Sequence, residues 1–255
     1  MSIETPFTKE NLETYLKEVA KEYRKRSGAQ KAEIILVGGA SVLINYDFRE
    51  STYDIDADYY PASAMKEAVN IVGDRFDLPV GWLNTDFKQT ASYTPKIRQY
   101  SEYYKTFSNI LEIRTVRAEY LVAMKLVSGR RYQKDLSDVI GILYEQQRAG
   151  NPLDTGKINT AMNQLYGGWE HVDAFAKELL EKALTCSDLE SLFLEQSEDE
   201  KSARTVLLEI NRKYPKEIQE DNARNEPAEN GRRFCAHEQD RGDVQQDIRK
   251  QESET

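Results

Sequence analysis

The sequence predicts an α+β fold, in which a small mixed β-sheet is flanked by helices and followed by a helical C-terminal region. Over residues 1–147, short apolar runs alternate with amphipathic segments in the order strand, helix, strand, helix and further strands. From about residue 150 onward the apolar spacing is typical of helices alone. We therefore expect an α+β domain over residues 1–147, a helical domain over 148–215 and an acidic tail over 216–255.

The predicted helices follow from apolar residues that recur at intervals of three and four. Before the C-terminal region they cover residues 8–27, 41–46, 62–76, 118–128 and 135–147. In the C-terminal region they cover residues 155–166, 171–184, 187–196 and 199–213. Beyond Pro215 apolar residues become scarce, and we expect disorder or a solvated helix because too little surface is buried to offset the ordering entropy.

The predicted strands are short runs rich in branched and apolar residues. Residues 33–37 form such a run, which ends at Gly38-Gly39 and indicates a buried strand. In residues 53–58 acidic and non-acidic side chains alternate, so the three carboxylates of this strand share one face. Residues 100–116 are expected to supply two more strands that break near Ser108-Asn109, and residues 78–98 are expected to be irregular.

Composition limits the classes of protein to which the chain can belong. Its 255 residues, 39% of them apolar, suffice for one substantial domain or for a domain with a smaller appendage. A formal net charge of -9 excludes a global cationic field for nucleic acid, although local basic patches remain compatible with it. Two distant cysteines give no disulfide framework or zinc motif. No stretch approaches the roughly 20 apolar residues of a membrane span, so we expect a cytoplasmic protein without a membrane partner.

The segment that points to chemistry is Gly38-Gly39-Ala40-Ser41, followed by Asp54-Ile55-Asp56. Two glycines after a buried strand let the backbone approach a bulky ligand, and N–H groups at the following helix start can hold phosphate oxygens. The Ser41 hydroxyl could add a further donor. Two carboxylates on one face of a strand can share Mg²⁺ or Mn²⁺, which leaves positions open for a triphosphate. Each element alone has a plainer reading as a turn, a helix cap or a solvated strand face.

This combination resembles the DNA polymerase β-like nucleotidyltransferase superfamily, whose signature is a Gly-Gly or Gly-Ser turn followed by Asp-h-Asp, where h is apolar. The preceding Arg49-x-Ser51 is similar to an element of the AbiEii-type toxins and of related bacterial nucleotidyltransferases of unknown substrate, including the DUF6036 group. The resemblance covers roughly residues 30–145. It implies that Asp54 and Asp56 are catalytic and bind the metal, and that Gly38, Gly39, Ser41 and Arg49 bind the nucleotide.

A second block, from Ala118 to Asp138, is similar to the second motif of those toxins, in which a helix ending in Lys-Leu is followed by an Arg-containing turn and an Asp-h-x-Asp helix start. The resemblance implies active-site roles for Lys125 and Asp138, and implies that Arg130 or Arg131 holds the triphosphate or an RNA backbone. Structural roles stay open for this block. Asp135 and Asp138 could favour the helix N-terminus, and Lys125 could extend from an amphipathic helix towards water.

A third metal carboxylate is common in this superfamily, and Glu112 is the candidate here. Glu112 would reach the metal if its strand pairs beside Asp54, whereas a cross-strand pair with an arginine is the alternative. Asp58 continues the face of Asp56 but is expected to lie too far along the strand.

The resemblance implies that an NTP is the substrate and that its NMP is transferred to a hydroxyl acceptor with Mg²⁺ or Mn²⁺. By analogy the protein would be a toxin of a toxin–antitoxin or phage-defence system, acting on tRNA or another cellular target and paired with a cognate antitoxin. The open alternatives are a small-molecule (antibiotic) nucleotidyltransferase and a non-catalytic protein that binds a nucleotide or a partner.

Overall fold

The computed structural model describes residues 6–27, 30–130 and 133–213. Its helices are α1 (Lys9–Ser27), α2 (Gly38–Asn45), α3 (Ala62–Phe76), α4 (Ala118–Ser128), α5 (Asp135–Arg148), α6 (Thr155–Tyr166), α7 (Ala174–Thr185) and α8 (Leu189–Lys213). Its strands are β1 (Ala32–Leu36), β2 (Ile55–Tyr60), β3 (Leu83–Asn84), β4 (Ser101–Phe107) and β5 (Leu111–Val116). Two short 3₁₀-helices cover Asp86–Gln89 and Pro95–Tyr100.

The strands form one mixed sheet with the order β3-β2-β1-β5-β4. Strand β1 pairs antiparallel with β2 and parallel with β5, while β4 pairs antiparallel with β5 and β3 pairs parallel with β2. The parallel strands β1 and β5 therefore end at the same edge of the sheet. At that edge β1 leads into α2 and β5 leads into α4. The predicted α+β fold with a small mixed sheet is confirmed.

Helices α1 and α3 cover one face of the sheet. In α1 the buried residues Leu12, Leu16, Val19 and Tyr23 follow the helical spacing that the sequence predicts. They pack against the alternate side chains of β1 that point to this face, including Ile34 and Leu36.

Helices α4 to α7 build the second hydrophobic core, on the opposite side of the sheet. This core includes Val37 from the end of β1 and Val116 from the end of β5. Its helical members come from α4, α5, α6 and α7, and from the start of α8. The predicted helical C-terminal region is thus present.

The chain divides into two compact units, residues 1–201 and residues 202–255. The first unit contains the sheet and helices α1 to α7, and the division falls within α8. The boundary that the sequence suggests near residue 147 stays a prediction. The predicted acidic tail, 216–255, lies outside the described residues, and in the described part of the chain no helix combines the length and apolarity needed to span a bilayer.

The structure differs from the sequence expectations at three elements. Helix α2 begins at Gly38, so both glycines form its first turn. Residues 187–196 and 199–213 do not form two helices but belong to the single helix α8, because the intervening Ser197 and Glu198 do not break a helix as Gly or Pro would. The segment expected to be irregular contains β3, whose two residues are too few to show a strand period.

Glu200 on α8 caps the N-terminus of α5. Its Oε1 accepts hydrogen bonds from the backbone N–H groups of Leu136 (2.9 Å) and Ser137 (3.2 Å). The side chain is buried, and its Oε2 has no partner in the described part of the chain. Burial raises the pKa of Glu200 to about 7, and the nearby charge of Asp138 acts in the same direction. Glu200 therefore contributes a cap but resists ionisation.

We predict that Glu200→Gln flattens the pH dependence of stability. Between about pH 4.5 and 7 the unfolded state loses the Glu200 proton and the folded state keeps it, so stability falls as pH rises, by roughly 3 kcal/mol in total. Glutamine keeps an oxygen acceptor for the cap and cannot ionise. Urea unfolding from pH 4.5 to 8 measures the slope of the free energy of unfolding against pH. This slope should equal that of wild type in the exposed control Glu195→Gln and should be smaller in Glu200→Gln. Equal slopes would contradict the assignment.

Candidate functional site

The glycine turn lies close to Asp56 of β2. Gly38 has a φ of +52°, which favours glycine. A Cβ built on Gly38 would lie 3.4 Å from Oδ2 of Asp56. The backbone N–H of Val37 donates to the carbonyl of Asp56 at 3.0 Å, so β1 and β2 fix this position by pairing. The Asp56 carboxylate therefore faces the start of α2.

Asp54 and Asp56 place two negative charges near this turn. Asp54 directly precedes β2 and is exposed, whereas Asp56 lies within the strand and is partly buried. Burial, and after it the charge of Asp54, raise the pKa of Asp56 to about 6. The Thr52 hydroxyl lies 3.3 Å from both the carbonyl oxygen and Oδ1 of Asp54. Mutual repulsion of this kind is what a bound cation relieves.

Arg49 lies directly over Gly39. A Cβ on Gly39 would come within 2.8 Å of Nη2 of Arg49 and 3.0 Å of the Thr52 hydroxyl. The Arg49 side chain is only 10% exposed, and its Nη1 donates to Oδ2 of Asp138 at 2.5 Å. Its Nε is buried and has no partner in the described residues. The second glycine therefore makes room for an arginine side chain.

The second block forms a buried network of charges between α4 and α5. Nζ of Lys125 lies 2.7 Å from Oδ1 of Asp135 and 2.8 Å from Oδ2 of Asp138. Arg130 Nε and the Ser128 hydroxyl each donate to Oδ2 of Asp135 at 2.8 Å. Asp135, which the sequence left open between capping and function, is thus a central acceptor in this network.

The pKa shifts in the network follow from its charges. Burial alone would lower the pKa of Lys125, but the charges of Asp135 and Asp138 outweigh burial and raise it. Burial would likewise raise the pKa of Asp135, but Lys125 and Arg130 hold it well below its usual range. Lys125 and Arg130 also lower the pKa of Asp56, against the dominant effect of burial. Their charges therefore reach the Asp54–Asp56 pair.

The structure thus brings the two sequence motifs into one region. The Asp56 carboxylate faces the glycine turn, Arg49 lies between that turn and Asp138, and Lys125 pairs with both Asp138 and Asp135. Arg131 lies outside the described residues.

Ser41 does not point at this region. Its side chain is fully buried, and its hydroxyl accepts a hydrogen bond from the backbone N–H of Val116 at 3.1 Å. The serine therefore ties α2 to the end of β5. The backbone N–H of Val116 is therefore the hydrogen-bond partner of the Ser41 hydroxyl.

Glu112 is also placed away from the site. Its strand β5 pairs with β1 and β4, so β1 separates Glu112 from β2. In register it lies beside Glu33, four residues before the end of β5, or about 13 Å along the strand. Its Oε1 accepts from Arg114 at 2.7 Å, and because Arg114 lies two residues further along β5, this ion pair is within one strand and is not the cross-strand pair considered as the alternative. The pairing beside Asp54 on which the metal role depended is absent.

Three neighbours of the acidic pair were not singled out from the sequence. Thr52 contacts Asp54. Asn84 lies beside Asp56 in the β2–β3 register, and Asp86 follows it closely enough that its charge raises the pKa of Asp56. A two-residue strand gives no periodic signal, so only the short distance between Asn84 and Asp86 in the sequence could have hinted at their shared position.

The donor set of the site fits an oxygen-preferring cation that keeps water and phosphate ligands. Mg²⁺ is commonly held by one or two carboxylates together with substrate phosphates. Among the described residues there is no preformed group of three or more His, Cys, Asp or Glu side chains that could hold a metal alone. Asp54 and Asp56 are the carboxylates here that could hold such a cation.

Comparison with known proteins yields one family. A family model described as a nucleotidyltransferase of unknown function (DUF6036) matches residues 14–163. This range contains both motifs. No curated protein and no solved structure matches the chain.

We predict that Lys125→Met lowers the free energy of unfolding by about 3–5 kcal/mol, because it leaves two buried carboxylates without their shared cation. Lys182→Met is the matched control, because it removes an exposed lysine 3.5 Å from Glu195 and should change stability by less than about 1 kcal/mol. Urea unfolding of both variants at pH 7 measures the difference. Similar losses in the two variants would rule out a special role for the buried pair.

Gly39→Ala should be more unfavourable while Arg49 is present. The added methyl group meets the guanidinium at 2.8 Å, and we expect a loss of about 1–3 kcal/mol. In an Arg49→Ala background the loss should be smaller, since the Thr52 hydroxyl at 3.0 Å is then the remaining close contact and alanine is a better helix former than glycine. A double-mutant cycle in urea isolates this coupling. Additive effects would show that Arg49 does not require the glycine.

Proposed function

Since the chain belongs to the DUF6036 family of nucleotidyltransferases of unknown function, we propose that it transfers an NMP from an NTP to a hydroxyl acceptor, with Mg²⁺ or Mn²⁺ held by Asp54 and Asp56. The observation that carries this proposal is the position of the Asp56 carboxylate, which faces the Gly38 turn at the start of α2 and would lie 3.4 Å from a Cβ built there. Carboxylates beside a phosphate-binding turn suit nucleotidyl transfer, because a cation held by Asp54 and Asp56 would there neutralise charge that develops on the phosphoryl oxygens.

The triphosphate would bind at the N-terminus of α2. Backbone N–H groups that precede the first intrahelical bond point out of a helix and attract anions. In α2 the Ser41 N–H already bonds to Val37, so the groups available are those of Gly38, Gly39 and Ala40. The positive charges of Arg49, Lys125 and Arg130 behind this turn favour a polyanion. Because Lys125 and Arg49 are held by carboxylates, they act as fixed charges and need no reorganisation when substrate arrives.

Asp56 would accept the proton of the acceptor hydroxyl, because its partly buried carboxylate faces the turn at which the triphosphate would bind. Burial and the charge of Asp54 raise its pKa to about 6 in the metal-free protein, and a cation held by the carboxylate would lower this pKa and keep the group ionised. Asp54, which is more exposed, would serve mainly as a metal ligand.

The resemblance to AbiEii-type toxins extends the proposal to a toxin that modifies tRNA or another RNA and is neutralised by a cognate antitoxin. This extension rests on analogy and is separate from the reaction type. A small-molecule acceptor, such as an antibiotic, is the competing substrate class.

We predict Mg²⁺-dependent transfer of label from at least one α-labelled NTP by the wild-type protein incubated with total RNA. Asp54→Asn and Asp56→Asn should reduce transfer by about a hundredfold or more, because each removes a charged ligand without changing its shape. Glu112→Gln is the matched control and should retain activity, since Glu112 pairs with Arg114 away from the site. Gel separation distinguishes labelled RNA from labelled protein or small molecules. Absence of NTP binding in wild type, or full activity in Asp54→Asn, would overturn the proposal.

A further inference from the structure

The loop between α2 and β2 carries Arg49 and lies along one face of α5. Asp138, Gly141 and Glu145 are spaced three and four residues apart on α5, so they share this face over about 10 Å. Each of the three contacts a different part of the loop. The loop therefore rests on a row of three positions of a single helix.

Glu145 binds the backbone of the loop. Its Oε1 accepts hydrogen bonds from the N–H groups of Asp47 at 3.0 Å and Phe48 at 2.9 Å, and its Oε2 accepts a longer one from Asp47 at 3.3 Å. Glu145 lies in the last turn of α5, where the helix dipole disfavours a negative charge. Two backbone donors stabilise the carboxylate there, and hydrogen bonds to a charged acceptor are roughly twice as strong as neutral ones.

Gly141 makes room for the side chain of Phe48. A Cβ built on Gly141 would lie 2.7 Å from two carbons of the Phe48 ring, which is closer than packed side chains come to each other. The same ring packs against Phe193 of α8, with the ring centres 5.3 Å apart. The missing side chain at position 141 therefore lets the loop lie directly on α5.

Arg49 follows Phe48 in the chain and is held at the far end of its side chain. Its Nη1 donates to Oδ2 of Asp138, and its Nη2 lies over Gly39 at the start of α2. Asp138 fixes the guanidinium, whereas the contacts of Asp47 and Phe48 fix the backbone from which the side chain extends. Because an arginine has much rotamer freedom, its guanidinium keeps a defined position when both its backbone and its end are held.

We propose that Glu145 is a positioning residue, which together with Gly141 holds the loop so that the Arg49 guanidinium lies over the glycine turn. Glu145 would act through Arg49 rather than by touching the substrate, because it lies two helical turns along α5 from Asp138. The use of this arginine for binding a triphosphate rests on the proposed function. The position that Glu145 gives to the loop does not.

The first test measures the loop without any substrate, by amide hydrogen exchange in the full-length protein. Glu145→Ala should speed exchange at the N–H groups of Asp47 and Phe48 by about tenfold or more, because they lose their charged acceptor. Glu190→Ala is the matched control. It removes the hydrogen bond that Glu190 accepts from Tyr144 on α5 at 2.8 Å, which includes no loop residue, and should leave both rates unchanged.

The second test measures the affinity for inorganic triphosphate in the presence of Mg²⁺ by titration calorimetry. Glu145→Ala should weaken binding by about fivefold or more, but by less than about twofold in an Arg49→Ala background, because the effect acts through the arginine. Gly141→Ala, whose methyl group would press on the Phe48 ring, should weaken binding without removing a charge. Glu145→Gln keeps one oxygen acceptor for the loop and should bind more tightly than Glu145→Ala.

Unchanged exchange at Asp47 and Phe48 in a Glu145→Ala protein with a native melting temperature would disprove the positioning role. Equal weakening of triphosphate binding with and without Arg49 would also disprove it, since a merely structural defect acts in both backgrounds. Should Glu145→Ala fail to fold, Gly141→Ala decides the question, because it should still speed exchange at Phe48. A wild-type chain that binds no triphosphate, with exchange responding as expected, would reject the proposed function and support the positioning of the loop.

Discussion

A lysine that is almost removed from water is the constraint on which the candidate site depends. Lys125 is 7% exposed and keeps its charge because Asp135 and Asp138 lie within 2.8 Å of its amine. Desolvating a single charge is unfavourable by several kcal/mol, so the lysine and its acids are tolerable only together. Since they come from α4 and α5, the network fixes these helices relative to each other. Arg49 pairs with Asp138 and so connects this network to the glycine turn.

Much of the fold could be predicted because its elements carry strong local patterns. Helix α1 shows regular apolar spacing, and β1 is a branched apolar run ended by glycine. The missed features depend on contacts that are distant in sequence. Strand β3 exists only because β2 offers it a partner, and nothing within its two residues marks it as a strand. Sequence also gives no rule for strand order, which is what places β5 beside β1 rather than β2.

The site shows the same division between local and distant information. The proximity of Asp56 to Gly38 could be inferred, because a strand, a glycine turn and an alternating acidic strand are close in sequence and pair directly. The partners of Ser41 and Glu112 could not be inferred. A serine whose hydroxyl is buried and a serine whose hydroxyl binds phosphate cannot be told apart from the sequence. In the structure the Ser41 hydroxyl accepts a hydrogen bond from the backbone N–H of Val116. Likewise, Glu200 reaches α5 from 64 residues away.

The cap that Glu200 supplies to α5 affects which fragments of the chain could fold by themselves. The segment that matches the family model ends at residue 163, yet the first turn of α5 receives its hydrogen bonds from residue 200, and the second core draws residues from α7 and the start of α8. A shortened chain ending at the family boundary would expose apolar faces of α4 and α5 and leave the α5 N-terminus uncapped. The segment that matches the family model is therefore shorter than the segment that can fold by itself, and a fragment limited to the match would expose apolar surface and aggregate.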